Sequence, residues 1–111
     1  NENIPDVSFS IKEYDFGEII QGEKVTYSFS FQNIGDGALV ISDVSSSCGC
    51  TVPSWPKEPV SSGESGEIVV VFDSEGKKGE QIKEITVLTN AVPSTRVLLI
   101  KASVNALENN E

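Results

Sequence analysis

The run KVTYSFSFQN, residues 24–33, constrains this chain more than any other stretch. Val25, Tyr27, Phe29 and Phe31 alternate with Thr26, Ser28, Ser30 and Gln32. Side chains of an extended strand point to opposite faces in turn, so this run has one greasy face and one wet face. The same period recurs along the chain. DVSFSIK (6–12) aligns Val7, Phe9 and Ile11, and EIVVVFD (67–73) aligns Ile68, Val70 and Phe72. KEITVLTN (83–90) puts Ile85 and Val87 on one face, and RVLLIKASV (96–104) does the same for Leu98, Ile100, Ala102 and Val104. ALVISDV (38–44) is a further strand candidate.

Turn chemistry separates these runs. Gly35-Asp36-Gly37 follows the first long strand, GKKG spans 76–79, and NAVPS spans 90–94. Asn33, Gly35 and Gly37 read as a structural turn, because glycine takes positive φ without steric cost and asparagine tolerates it. PSWPKEPVSSGESG (53–66) holds three of the five prolines and no alternation, and is expected to cross from one sheet to the other. No segment carries a helical period over ten residues. Strands at roughly ten-residue spacing with Gly and Pro turns predict an all-β fold, an antiparallel β-sandwich with no substantial helix. At 111 residues this is one domain by size. We place it at 7–106, with flexible segments at 1–6 and 107–111.

The chain carries 17 acids and 8 bases, a net charge of −9. Residues 1–56 contain only Lys12 and Lys24 as bases. Nucleic acids and anionic membrane surfaces demand a basic footprint, so neither is an expected partner. The longest apolar run, residues 68–72, is far short of the ~20 residues that span a bilayer. A monomer is the default expectation.

There is no histidine and no methionine. That excludes Ser-His-Asp and Cys-His catalysis. Two cysteines fall short of a zinc site, and a Cu(I) site would lack His or Met support. No phosphate-binding or dinucleotide fingerprint occurs, and no spacing singles out a pair of carboxylates. We expect no catalytic residue, no metal and no cofactor.

Cys48 and Cys50 lie in SSSCGCT (45–51). Extended, their Cα atoms would be about 6.6 Å apart, at the limit of what a disulfide spans, and Gly49 lets the chain bend. Closing so small a ring stabilises by only about 1.5 kcal/mol before strain. Three readings stand: reduced thiols with at least one packed in the core, a strained disulfide, or a redox pair. The last lacks an activating base, since no Lys, Arg or His lies within six residues of either thiol. Downstream, Thr51, Pro53, Trp55 and Pro56 form a candidate interaction surface. Trp55 is either a contact residue or a ring folded down to cap the sandwich.

The motifs Tyr14-Asp15-Phe16-Gly17, Asn33-Ile34-Gly35 and Cys48-Gly49-Cys50-Thr51 occur in order. With the later PVSSGESGEIVVVFD and ITVLTN, this pattern resembles a bacterial family of domains of unknown function, similar to the ASH, MSP and hydin-type immunoglobulin-like domains. The resemblance covers about residues 9–104. It implies an immunoglobulin-like sandwich of about seven or eight strands. It also implies export, to the periplasm or the cell surface, as a lipoprotein whose trimmed tether would be the opening NEN. It implies no activity. The expected function is a non-enzymatic module for protein–protein contact or envelope architecture, with an unknown protein partner. The alternative is a thiol-redox or metal-handling accessory using Cys48 and Cys50.

Overall fold

In the computed structural model, which describes residues 4–106 apart from the Val52 side chain, the alternating runs become strands. They are β1 (Val7–Phe9), β2 (Glu13–Ile20), β3 (Lys24–Asn33), β4 (Ile41–Ser46), β5 (Thr51–Ser54), β6 (Ser65–Asp73), β7 (Gly79–Thr89) and β8 (Thr95–Asn105). Two four-stranded sheets result, ordered β1-β3-β6-β5 and β2-β8-β7-β4. This is the immunoglobulin arrangement, with the first strand split between the two sheets.

The greasy faces meet in one core. Phe29, Ile68, Val70 and Phe72 from the first sheet pack with Ile85, Val87, Leu98 and Ile100 from the second, all but unexposed. Burying each such side chain stabilises by about 1.5–3 kcal/mol. Register keeps the faces in phase: Phe29 lies opposite Ile68, and Ile85 opposite Leu98.

The structure corrects several expectations. Ile11 is exposed rather than in line with Val7 and Phe9, because β1 ends at Phe9 and the chain crosses to the other sheet. The run EYDFGEII forms β2, which the alternation did not reveal. Its inward side chains are Tyr14, Phe16 and then Ile19, a change of parity at a bulge between Asp15 and Glu18, where Gly17 takes φ +79°. β2 pairs with β8 in parallel, unlike the other strand pairs. The proline-rich stretch does not cross between sheets. Residues 51–54 form β5, and the rest leads to β6 in the same sheet, stitched by a Leu39–Val60 bridge. Pro53 is tolerated because β5 is an edge. The crossing falls earlier, at residues 47–50.

Asn33 organises one end of the sandwich. Its buried amide donates to the carbonyls of Gly37 (2.7 Å) and Val60 (2.9 Å) and accepts from the backbone N–H of Gly35 (3.0 Å) and Asp6 (3.3 Å). Positive φ is not what Gly35 and Gly37 provide, for they are not among the positive-φ glycines. Gly35 is needed for close approach: a Cβ there would land on the Ile4–Asp6 backbone. That packing also anchors part of the segment expected to be flexible. Ile4 and Asp6 accept backbone hydrogen bonds from Asp36 (3.0 Å) and Ile34 (2.9 Å). Residues 1–3 and the expected tail, 107–111, lie outside the described residues.

At the other end, the buried Ser74 hydroxyl donates to the Glu23 carbonyl (2.7 Å) and accepts from the Gly22 N–H (2.9 Å). It ties the β2–β3 turn to the β6–β7 turn.

Candidate functional site

The cysteine loop joins two edge strands, β4 of one sheet and β5 of the other. Both of its ends are pinned by backbone bonds. Ser47 N–H donates to the Glu84 carbonyl (3.1 Å), and Asp73 N–H donates to the Cys50 carbonyl (2.8 Å). Within the loop, Cys48 N–H donates to Ser46 Oγ (3.3 Å) and Thr51 Oγ1 to the Cys48 carbonyl (3.4 Å). Cys48 and Cys50 are joined as a disulfide with a Cα separation of 5.3 Å, shorter than the fully extended spacing because the chain turns at Gly49. The Cys50 N–H donates to Cys48 Sγ at 3.2 Å. Both cysteines are half-buried, and Cys50 packs against the core.

The residues proposed as a contact surface beside this loop are unequal. Thr51 is only 6% exposed, so a partner could not reach it directly. Trp55 is half-buried against the core, and the Lys57 ammonium lies 3.3 Å from its ring centroid, a cation–π contact that covers its outer face. Pro53 and Pro56 are half-buried. This stretch runs along a sheet edge, with Thr51 buried and the Trp55 ring packed against the core under Lys57.

An apolar surface lies elsewhere, on the solvent side of β7 and β8. Leu88 is 41% exposed and Val97 46%. Leu88 sits opposite Thr95 and Val97 opposite Thr86, which makes the two diagonal neighbours across the strand pair. Leu99, two residues beyond Val97 on the same face, is half-buried. Acids stand round them in register: Asp43 opposite Leu88, and Glu84 and Glu13 opposite Leu99. The signal was present in the sequence. Leu88, Val97 and Leu99 fall on the polar parity of their strands, where an alternating pattern calls for wet residues.

The other outer face mixes hydroxyl-bearing residues with the half-buried Val69 and Val71. A shallow hollow of about 660 Å3 over β1, β3 and β6 is lined by Ser8, Ser10, Ser30, Gln32, Ser65 and Glu67, with Phe31 and Gly66. Among the described residues, no group of three or more Cys, Asp or Glu is placed to hold a metal ion.

Comparison with known proteins places this geometry. A structure described as a protein of unknown function from Porphyromonas gingivalis W83 is similar with a TM-score of 0.80 and 18% identity, over 91% of this chain and 47% of that one. The chain therefore spans about half the length of that relative. The ASH/PapD-like domain 7 of human CEP192 is similar with a TM-score of 0.71 and 13% identity, over 99% of this chain and 91% of that domain. The Vibrio cholerae VesB protease gives a TM-score of 0.66 and 16% identity, over 93% of this chain but only 32% of the protease. At these identities the likeness shows the fold alone. No curated protein sequence matches the chain. A family model described as "Protein of unknown function (DUF1573)" matches residues 7–104.

Proposed function

The chain belongs to the DUF1573 family of proteins of unknown function, and on that premise we propose that it is a non-enzymatic immunoglobulin-like contact module of an exported bacterial protein. The observation that carries this reading is the apolar group Leu88, Val97 and Leu99 framed by Asp43, Glu84 and Glu13. An apolar centre inside a charged rim is the anatomy of a protein–protein interface. The rim carries Asp43 and Glu84, with Glu13 already paired to Lys101, and the chain is acidic, so the partner is a protein with an apolar patch bordered by Lys or Arg. Opposite charges at a rim speed encounter and make binding salt-dependent. Export to the periplasm or cell surface, through a lipid tether, agrees with the bonded cysteines, since disulfides persist in oxidising compartments.

The test is capture of partners from envelope extracts by wild type, by the double variant Leu88→Asp/Val97→Asp, and by Ser8→Asp on the opposite outer face. We expect a specific partner to be retained by wild type and Ser8→Asp, and its binding to fall at least about tenfold in the double variant, as for an interface core. The thermal midpoint of Ser8→Asp should match wild type, and that of the double variant should be lower but well above the assay temperature, since its new carboxylates face Asp43 and each other. Equal capture by all three proteins would sink the proposal, as would a turnover abolished by one substitution.

A further inference from the structure

We propose that the Cys48–Cys50 disulfide is a thiol–disulfide exchange site in which Cys48 is the sulfur attacked and Cys50 the resolving partner. The substrate class is a thiol, either a small one or a dithiol exposed on another protein.

Three features of the loop carry this. The first is ring size. The bridge closes across one intervening residue, and so short a ring withholds little chain entropy from the opened state. The second is redundancy. Ser47 is held by Glu84, and Cys50 by Asp73, through backbone bonds that do not involve sulfur. Opening the bridge therefore leaves β4 and β5 in register. The third is asymmetry. Cys50 N–H donates to Cys48 Sγ at 3.2 Å, and a hydrogen-bond donor aimed at sulfur favours the charged thiolate there. Cys50 packs against the apolar core, which leaves Cys48 as the sulfur that a substrate thiolate can reach. The same bond makes Cys48 the better leaving group of the second displacement.

The exchange runs in two displacements. A substrate thiolate attacks Cys48 Sγ, forms a mixed disulfide, and expels Cys50 as a thiolate that takes a proton from solvent. A second substrate thiolate then attacks the substrate sulfur of the mixed disulfide and expels Cys48, whose thiolate meets the Cys50 N–H. The substrate dithiol is oxidised to a disulfide and the protein disulfide is reduced to two thiols. With a small monothiol, a second molecule makes the second attack.

The test uses the whole chain. Wild-type protein is equilibrated in glutathione buffers and, separately, with a reduced two-cysteine peptide. Alkylation and mass spectrometry read the state of Cys48 and Cys50. We expect the pair to reach a ratio set by the buffer, with far-UV circular dichroism unchanged. Peptide oxidation assigns a protein dithiol as substrate, and exchange with glutathione alone assigns a small thiol. A pair that stays fully bonded in excess of both, or cysteines that are reduced and unreactive in the folded protein, would overturn the site. The single variants test the asymmetry. The lone Cys48 of Cys50→Ser should react with an aromatic disulfide at neutral pH at least about tenfold faster than the lone Cys50 of Cys48→Ser. Equal or reversed rates would overturn the assignment of roles. The proposal is independent of the contact patch: Leu88→Asp/Val97→Asp should exchange at the wild-type rate.

Discussion

Asn33 Nδ2 donates to the carbonyl oxygen of Val60 at 2.9 Å, joining the end of β3 to a loop 27 residues later. The same amide reaches Gly37, Gly35 and Asp6. One buried side chain thus satisfies polar backbone from the N-terminal segment, the β3–β4 turn and the β5–β6 connection.

Asn33→Ala strands the donors and acceptors that it now serves. Each unsatisfied buried group costs about 1–3 kcal/mol. We expect the variant to lose about 3 kcal/mol or more in urea unfolding. Asn33→Asp should be no better, since a carboxylate cannot donate to Gly37 and Val60. A loss below about 1 kcal/mol for Asn33→Ala would show that the network relaxes freely.

Gly66 stands opposite Phe31 in the β3–β6 register, and a Cβ there would come within 2.7 Å of the ring Cζ. The ring is buried, so it has little room to give way. Gly66→Ala should cost about 1–3 kcal/mol, the range for overpacking. The companion Phe31→Leu/Gly66→Ala protein should recover part of that loss, and a double-mutant cycle measures it.

Ser74→Ala removes the hydroxyl that serves Gly22 and Glu23. We expect about 1–2 kcal/mol of destabilisation. Hydrogen exchange should show faster opening of the β2–β3 and β6–β7 turns, with the far end of the sandwich protected as before.

Lys101 pairs with Glu13 across β2 and β8, Nζ to Oε2 2.5 Å. The hydrogen bond to Glu13, and then its charge, raise the lysine pKa above its ordinary 10.5. A raised folded-state value means that the pair contributes fully below 10.5 and is lost as pH climbs through the higher value. Lys101→Met should therefore match wild type more closely in alkali than at neutral pH. The neutral-pH difference should be small and shrink with salt, because the pair is solvent-exposed. Urea midpoints at several pH values check the sign.

Much of the fold was legible because period-two alternation reports burial directly. The core residues of β3, β6, β7 and β8 could be read from their parity. β2 was hidden because its bulge at Gly17 breaks the phase between Tyr14 and Ile19. β5 was hidden because Pro53 marks an interruption in any central strand, and only its edge position makes it acceptable. The role of Gly35 was misjudged for a related reason: sequence shows that a glycine is tolerated, but not whether torsion or proximity requires it. The candidate site was less legible. Leu88 and Val97 looked like parts of apolar runs although their parity puts them on the wet face, and what brings them together is the β7–β8 register, which joins residues distant in sequence. The sulfur-directed amide of Cys50 is backbone geometry, which composition does not encode.

The parallel pairing of β2 with β8 has a mechanical consequence. Six register pairs, from Glu13–Leu99 to Ile20–Asn105, join strands that run the same way near opposite ends of the chain. Tension that draws those ends apart slides β2 along β8, so these pairs are loaded in shear together and not peeled one after another. The domain is built to resist stretching along its strands.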